Sequence, residues 1–275
     1  MFITAGALLL VVTVALVVRN QVKVYRGRQY RAEREARDAR MRLAMFEALT
    51  PVVLANCRLE RFGEPNDGGY LMCANLLDQV QAGYSYGISG YDQWGCTVST
   101  QRKIPVHQYD CFNTSEPICP GGTTVFHAEC VAGVTRTEEG RFFDTVEHQF
   151  GRNGDAGKRL VMKIDVEGAE WDSFLAVPDD TLDQIDQLTV EFHGMPEEKH
   201  LAVVQRLKQF FHVVHLHFNN FACTEGTEPF PAAAYEVLFV SKRLGVVDPS
   251  RVATLPHPSD APNNPLAADC QPAVR

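Results

Sequence analysis

Several features are missing from this 275-residue chain, and each absence narrows what it can be. There is no basic excess: 26 Lys and Arg stand against 34 Asp and Glu, for a net charge of −8. No zinc-finger spacing and no RNA-binding signature occurs, so the chain is not built for nucleic acid. No internal repeat is present, which excludes a solenoid or propeller. No complete G-x-G-x-x-G fingerprint is present either, so a dinucleotide-binding motif is not spelled out. No Lys or Arg precedes the first apolar run, which a secretory signal would have.

What is there begins with that run. Phe2 to Val18 carries no charge and is dominated by Ala, Leu and Val. It falls just short of the ~20 residues of a spanning helix. Residues 1–18 are expected to be an uncleaved membrane anchor, with a cleaved signal as the alternative and Thr13-Val14-Ala15 as its weak cleavage site. Residues 19–50 are rich in Arg, Glu and Ala, with no Gly after Gly27 and no Pro before Pro51. That composition predicts an exposed basic helical stalk, whose cationic face is either solvated or set against anionic lipid.

Topology receives two opposed signals. The nine Arg and Lys from Arg19 to Arg42 would hold the globular part in the cytoplasm by the positive-inside rule. The eight cysteines favour an oxidising lumen or exterior, such as Golgi, ER or cell envelope. Eight cysteines allow 105 complete pairings. One pair stands out. Cys57 and Cys73 lie symmetrically about Pro65, with the turn sequence Asn66-Asp67-Gly68-Gly69 between them, so a hairpin would bring their sulfurs together.

From Pro51 to about residue 247 the chain has ordinary globular composition and alternates short apolar runs with helical stretches. This predicts an α/β domain with a mostly parallel sheet. Strands are expected at Tyr84–Ile88, Pro105–Asp110, Thr124–Glu129, Leu160–Val166 and Leu188–His193. Two more, Val213–Phe218 and Tyr235–Val240, are expected to pair. Helices are expected over Trp94–Lys103, after Val166 up to Pro178, and over Pro196–Phe211. Residues 248–275 hold six prolines and little apolar periodicity, and are expected to be disordered.

The chemistry is expected at the carboxyl ends of these strands, where open α/β sheets bind ligands. Gly87 and Gly90 follow the first strand, and Asp110 closes the next, at the distance where a nucleotide fold places its ribose ligand. Asp165 and Glu167 follow the most apolar strand. Glu170 would cap the short helix after it. In Leu188–His193, the residues Thr189, Glu191 and His193 share one face. His193 would end at the same sheet edge as Asp165, and an imidazole there is a candidate general base. His215, His217 and Asn219 share a face of the next strand. A metal set can be drawn from Asp165, Glu191, His193 and His217, but strand alternation explains their spacing without metal, and no metal is expected.

Three stretches, Lys163-Ile-Asp-Val-Glu-Gly-Ala-Glu170, Leu188-Thr-Val-Glu-Phe-His193 and His217-Phe-Asn-Asn220, resemble the FkbM-like S-adenosylmethionine-dependent methyltransferases. The membrane-anchored branch of that family also has a Cys…Asp-Gly-Gly-Tyr…Cys element, matched here by Cys57, Asp67–Tyr70 and Cys73. The resemblance covers roughly residues 57–243. It implies a Rossmann-like methyltransferase sheet with helices on both faces. It also implies S-adenosylmethionine held near Gly87, Gly90 and Asp110, with Asp165 close to the reacting centre and Asp67 and Tyr70 over the cofactor. The implied reaction is methyl transfer to a hydroxyl, with His193 as base and Asp165 as second choice, and with a carbohydrate as acceptor by analogy. The alternatives are a non-catalytic, membrane-tethered binding domain on the same fold and a nicotinamide oxidoreductase, which shares the strand–glycine–acid order.

Overall fold

The computed structural model describes residues 3–272, with the side chains of residues 3–15, 17 and 18 outside the description. The chain divides into two compact units, Met1–Met41 and Arg42–Arg275. The first consists of the leading part of helix α1 (Ile3–Leu49), whose residues 19–37 are all exposed. Its charges pair locally, as in Arg34 with Asp38 at 3.7 Å. Among the described residues, no helix is long and apolar enough to cross a membrane. The expected anchor at residues 1–18 lies outside the described side chains.

The second unit takes up the end of α1, where Met45 and Leu49 are fully buried. It continues through β1 (Val52–Leu54), β2 (Leu59–Gly63), β3 (Gly69–Cys73), β4 (Ala82–Tyr86), α2 (Gln93–Arg102), β5 (Pro105–Tyr109) and β6 (Thr123–His127). Next come β7 (Cys130–Val131), β8 (Arg136–Glu138), β9 (Arg141–Asp144), α3 (Val146–Arg152), β10 (Leu160–Ile164), α4 (Glu170–Ala176) and α5 (Asp179–Gln184). The last elements are β11 (Ile185–His193), α6 (Glu198–Phe210), β12 (Phe211–Phe218), β13 (Ala234–Ser241) and β14 (Val247–Val252).

Seven of these strands form one sheet in the order β12-β13-β11-β10-β4-β5-β6. Strands β11, β10, β4, β5 and β6 run parallel, and β13 is antiparallel to both of its neighbours. The expected mixed α/β, Rossmann-like architecture is therefore present. Chain order runs outward from β4 through β5 to β6, and from β10 to β11 in the other direction. The order reverses between β4 and β10, and such a reversal opens a crevice at the carboxyl ends of the strands.

Side-chain alternation builds the two faces. On one, Tyr84, Met162, Ile164, Leu188, Val190 and Phe192 pack with Trp171 and Phe174 of α4 and with Val203 and Leu207 of α6. On the other, Val106 and Val161 pack with Trp94 and Val98 of α2 and with Phe62, Tyr70 and Met72 of the β2–β3 hairpin. Towards β11, β13 and β12 this second face turns polar: Glu191, Glu236, His215 and His217 are all buried there.

Residues 248–275 were expected to be disordered; the described part of that segment, residues 248–272, covers that polar face instead. Its first part is in β14, which pairs with β1. Beyond it, Asp260 bonds His215 at 2.6 Å, Asn263 donates to Glu236 at 2.7 Å and to Asp67 at 3.0 Å, and Asp269 bonds His217 at 3.0 Å. The disulfide Cys223–Cys270 fixes its end. Apolar periodicity is a poor guide here because polar bonds to buried partners hold the segment. The eight cysteines form four disulfides, and the expected Cys57–Cys73 bridge closes the β2–β3 hairpin.

Candidate functional site

The glycine loop and the acid of β10 meet at the reversal point. Gly87 sits at φ +71°, a conformation that favours glycine, and a Cβ on it would be driven into the carbonyl oxygen of Asp165. Asp165 N donates to Tyr86 O at 3.2 Å, so the two strand ends are stitched together. Lys163, nearly fully buried, strengthens the junction. Its ammonium donates to Tyr86 O at 3.3 Å, Gly87 O at 2.9 Å and the Asp165 carboxylate at 3.2 Å.

Beside this junction opens a cavity of about 420 Å³, whose lining includes Gly87, Tyr109, Asp110, Glu129, Asp165 and Glu167. Its volume lies in the range of small-molecule sites. The disulfide Cys111–Cys130 forms part of its wall, linking the residues that directly follow Asp110 and Glu129.

Asp110 stands where it was expected, at the end of β5. Its Oδ2 accepts Ile88 N–H at 3.2 Å and Ser89 N–H at 2.7 Å; its Oδ1 accepts Phe112 N–H at 2.8 Å and Asn113 N–H at 3.0 Å. It therefore clamps the loop after β4 to the loop after β5 while lining the cavity. Gly90, also at positive φ, is packed on Asn113 and does not line the cavity. The start of α2 is capped by the Asp92 side chain, which accepts Gly95 N–H at 2.8 Å.

Asp67 and Tyr70 do not cover the cavity. Tyr70 is buried beneath the rim, its hydroxyl 3.4 Å from Asp165 and 3.3 Å from Glu191, and burial followed by those acids pushes its pKa up. Asp67 is bound to Asn263 of the C-terminal segment. Hairpin and tail thus close the polar face from outside, and their acids and hydroxyls serve that closure.

His193 lies at the same edge as Asp165, as expected. Its Nε2 is 3.8 Å from Asp165, 3.6 Å from Glu167 and 3.9 Å from Glu191, and its Nδ1 is 3.1 Å from Glu170. Burial pulls the imidazole pKa down, but the hydrogen bond and charge of Glu170, with Glu191 and Asp165 behind them, outweigh it and lift it to about 9. The carboxylates around it therefore favour the protonated ring, so a proton-acceptor role for His193 requires that it first lose this proton. Glu191 is raised to about 8 by burial and then by Asp165 and Glu236. Asn219 donates to its other oxygen at 2.6 Å.

The metal set drawn from the sequence does not assemble. His217 is turned to Glu236 and Asp269. Among the described residues, one group of three brings a ligand-type atom from each member within 4.8 Å of the others: Asp165, Glu170 and His193. Within it, His193 is 3.1 Å from Glu170 and 3.8 Å from Asp165.

No protein-family model matches the chain, and no curated protein matches it. The site is therefore judged on its own geometry. Sequence reasoning missed Lys163, Glu129 and the partnership of Glu170 with His193. Lys163 had a visible signal, since period-two alternation puts it on the same face as Asp165. Glu170 had none, because its partner lies 23 residues away on another strand.

Proposed function

We propose that this chain is an S-adenosylmethionine-dependent methyltransferase acting on a hydroxyl oxygen. The observation that carries the reading is the 420 Å³ cavity at the reversal point, bounded by Gly87, Asp110 and Asp165, with His193 3.8 Å from the Asp165 carboxylate. The residues present fit such a cofactor: Gly87 keeps backbone close to the crevice, Asp110 holds the loop, and acids face the space where a cation would lie. Bound there, S-adenosylmethionine supplies an already activated methyl on sulfur.

The chain's own task is then alignment and a proton sink. Holding donor and acceptor in line can supply roughly 7–11 kcal/mol of the barrier. The Lys163–Asp165 pair fixes the junction that both would rest on. With the cofactor held there, the acceptor oxygen would bond to the methyl carbon as the carbon–sulfur bond broke and left S-adenosylhomocysteine, and the oxygen's proton would pass to Nε2 of a neutral His193; Asp165 is the second choice. A positioned base contributes about 10²–10⁴-fold.

Four disulfides support placing the folded part in an oxidising lumen or exterior. The apolar run Phe2–Val18 supports membrane attachment, and a carbohydrate hydroxyl remains the acceptor class by resemblance. A non-catalytic binding domain on this fold is the competing reading, supported by the preference of the His193 ring for its protonated form. Labelled methyl transfer to a panel of glycans, run at pH 7 and pH 9, separates them. Transfer that disappears in His193→Ala supports the enzyme; none at either pH, with cofactor bound, supports the binding domain.

A further inference from the structure

Helix α4 holds His193 at two points. Glu170, its first residue, accepts the Nδ1–H of the imidazole at 3.1 Å. Trp171, its second, donates from Nε1 to the His193 carbonyl at 2.7 Å. Trp171 is itself locked by stacking on Phe192 at 4.2 Å and on His200 of α6 at 3.9 Å. One turn of helix thus sets both the ring and the main chain of a residue on a different element. The ring's remaining nitrogen, Nε2, looks towards Asp165 and Glu167, and both of these line the cavity.

We propose that Glu170 is a positioning residue for the transfer reaction: it fixes the His193 ring with Nε2 towards the cavity mouth and sets its strength as a base. The proposal rests on the methyltransferase reading above and deepens it. The plainer role for Glu170 is to close the turn before α4, because its Oε1 also accepts Val166 N–H at 2.7 Å. That role does not require an imidazole. Glu170 is fully buried, and its Oε2 has no hydrogen-bond partner among the described residues. A buried carboxylate with a free oxygen is costly unless a cation stands against it, and the His193 ring is that cation. The arrangement follows the logic of an acid–histidine pair, in which a buried carboxylate selects the tautomer and leaves the far nitrogen to work.

The other charged groups facing the ring are Asp165 and Glu167 from the β10–α4 turn and Glu191 from β11. Lys163 balances Asp165. Among the described residues, Glu170 is the nearest of the acids and the only one on Nδ1. Burial lowers the imidazole pKa, but these neighbours outweigh it and raise it to about 9, with Glu170 the largest of the raising influences.

The test uses the full chain with isotope-labelled histidine, followed by NMR from pH 5 to 10.5, with His193→Gln to assign the signal. Glu170→Gln keeps the shape and the Val166 bond but removes the charge. The His193 midpoint is expected to fall by at least about one pH unit, a tenfold loss of proton affinity. Glu170→Asp, which keeps the charge but draws it back, should fall less. A midpoint within about 0.3 unit of the native protein in both variants overturns the proposal, as does a native midpoint at an ordinary histidine value. Calorimetry with S-adenosylhomocysteine on the same samples separates the failures. A native chain that does not bind it removes the methyltransferase reading, whatever the NMR midpoints. Binding equal in native and Glu170→Gln protein, with a shifted midpoint, supports positioning.

Discussion

Nε2 of His193 stands 3.8 Å from Oδ1 of Asp165, at the ends of two adjacent parallel strands. The two residues reach that distance because β10 and β11 pair in register, Ile164 beside Val190, and each continues past its last apolar position. A base and an acid are thereby presented at one edge, next to a glycine loop that comes from a third strand. Several outcomes follow from this arrangement.

His193→Ala removes the imidazole but leaves Gly87, Asp110 and the cavity wall intact. Methyl transfer should drop by about 10²–10⁴-fold while affinity for S-adenosylhomocysteine stays within about threefold. Parallel rate and calorimetric measurements check this. Unchanged transfer removes His193 from the mechanism.

Gly87→Ala and Gly154→Ala make a matched pair. Both glycines have φ near +70°, but a Cβ at Gly154 meets nothing within 4 Å, whereas at Gly87 it runs into Asp165 O. Gly154→Ala should cost about 1 kcal/mol of stability, from backbone strain alone, and leave cofactor binding unchanged. Gly87→Ala should cost more than that and abolish cofactor binding. Denaturant unfolding and calorimetry on both variants give the comparison.

Asp110→Asn retains one acceptor oxygen and so keeps two of the four N–H bonds at best. The loop after β4 should loosen, and cofactor affinity should fall at least about tenfold, at about 1.4 kcal/mol per factor of ten. Hydrogen exchange at Ile88 and Ser89 should rise in the same variant, since their amides are the ones Asp110 holds.

Stability should fall on the alkaline side. His193 and His217 are raised from 6.5 to about 9 by their carboxylate partners, and Glu191 from 4.5 to about 8 by burial and like charges. All three bind a proton more tightly when folded. The histidine contribution is complete below 6.5 and lost as pH rises through 9; that of Glu191 is complete below 4.5 and lost through 8. Melting temperature should therefore decline steadily from pH 6.5 to 9. His217→Gln should flatten the upper part of the decline.

Removing the Cys223–Cys270 bridge as a pair of alanines opens a 47-residue separation in sequence. Chain-entropy reasoning sets the loss at about 4 kcal/mol. The tail should then release His217 and Glu236, and unfolding in denaturant together with histidine NMR would register both effects.

The parallel strands were legible because their apolar runs end abruptly in Asp110, Asp165 and His193, and this same punctuation marks the ligand edge. The Cys57–Cys73 bridge was legible because the two lie symmetrically about Pro65 with the turn sequence Asn66-Asp67-Gly68-Gly69 between them. The tail was not legible. Its prolines and scattered polar residues look unstructured until Asp260, Asn263 and Asp269 are set against His215, Glu236 and His217, which lie more than 20 residues earlier in the chain. The protonation state of His193 was hidden for the same reason. It depends on Asp165, Glu167 and Glu170 around the β10–α4 turn as well as on Glu191 of its own strand, and period-two alternation shows only Glu191 on the face of His193.

The central claim is that the cavity beside Gly87, Asp110 and Asp165 holds S-adenosylmethionine. Calorimetric titration of the oxidised full chain with S-adenosylmethionine at pH 7.5 tests it most directly. One-site binding that is lost in Gly87→Ala and retained in His193→Ala is the predicted result. No heat and no thermal shift at millimolar ligand, in a chain shown to be folded, would contradict it.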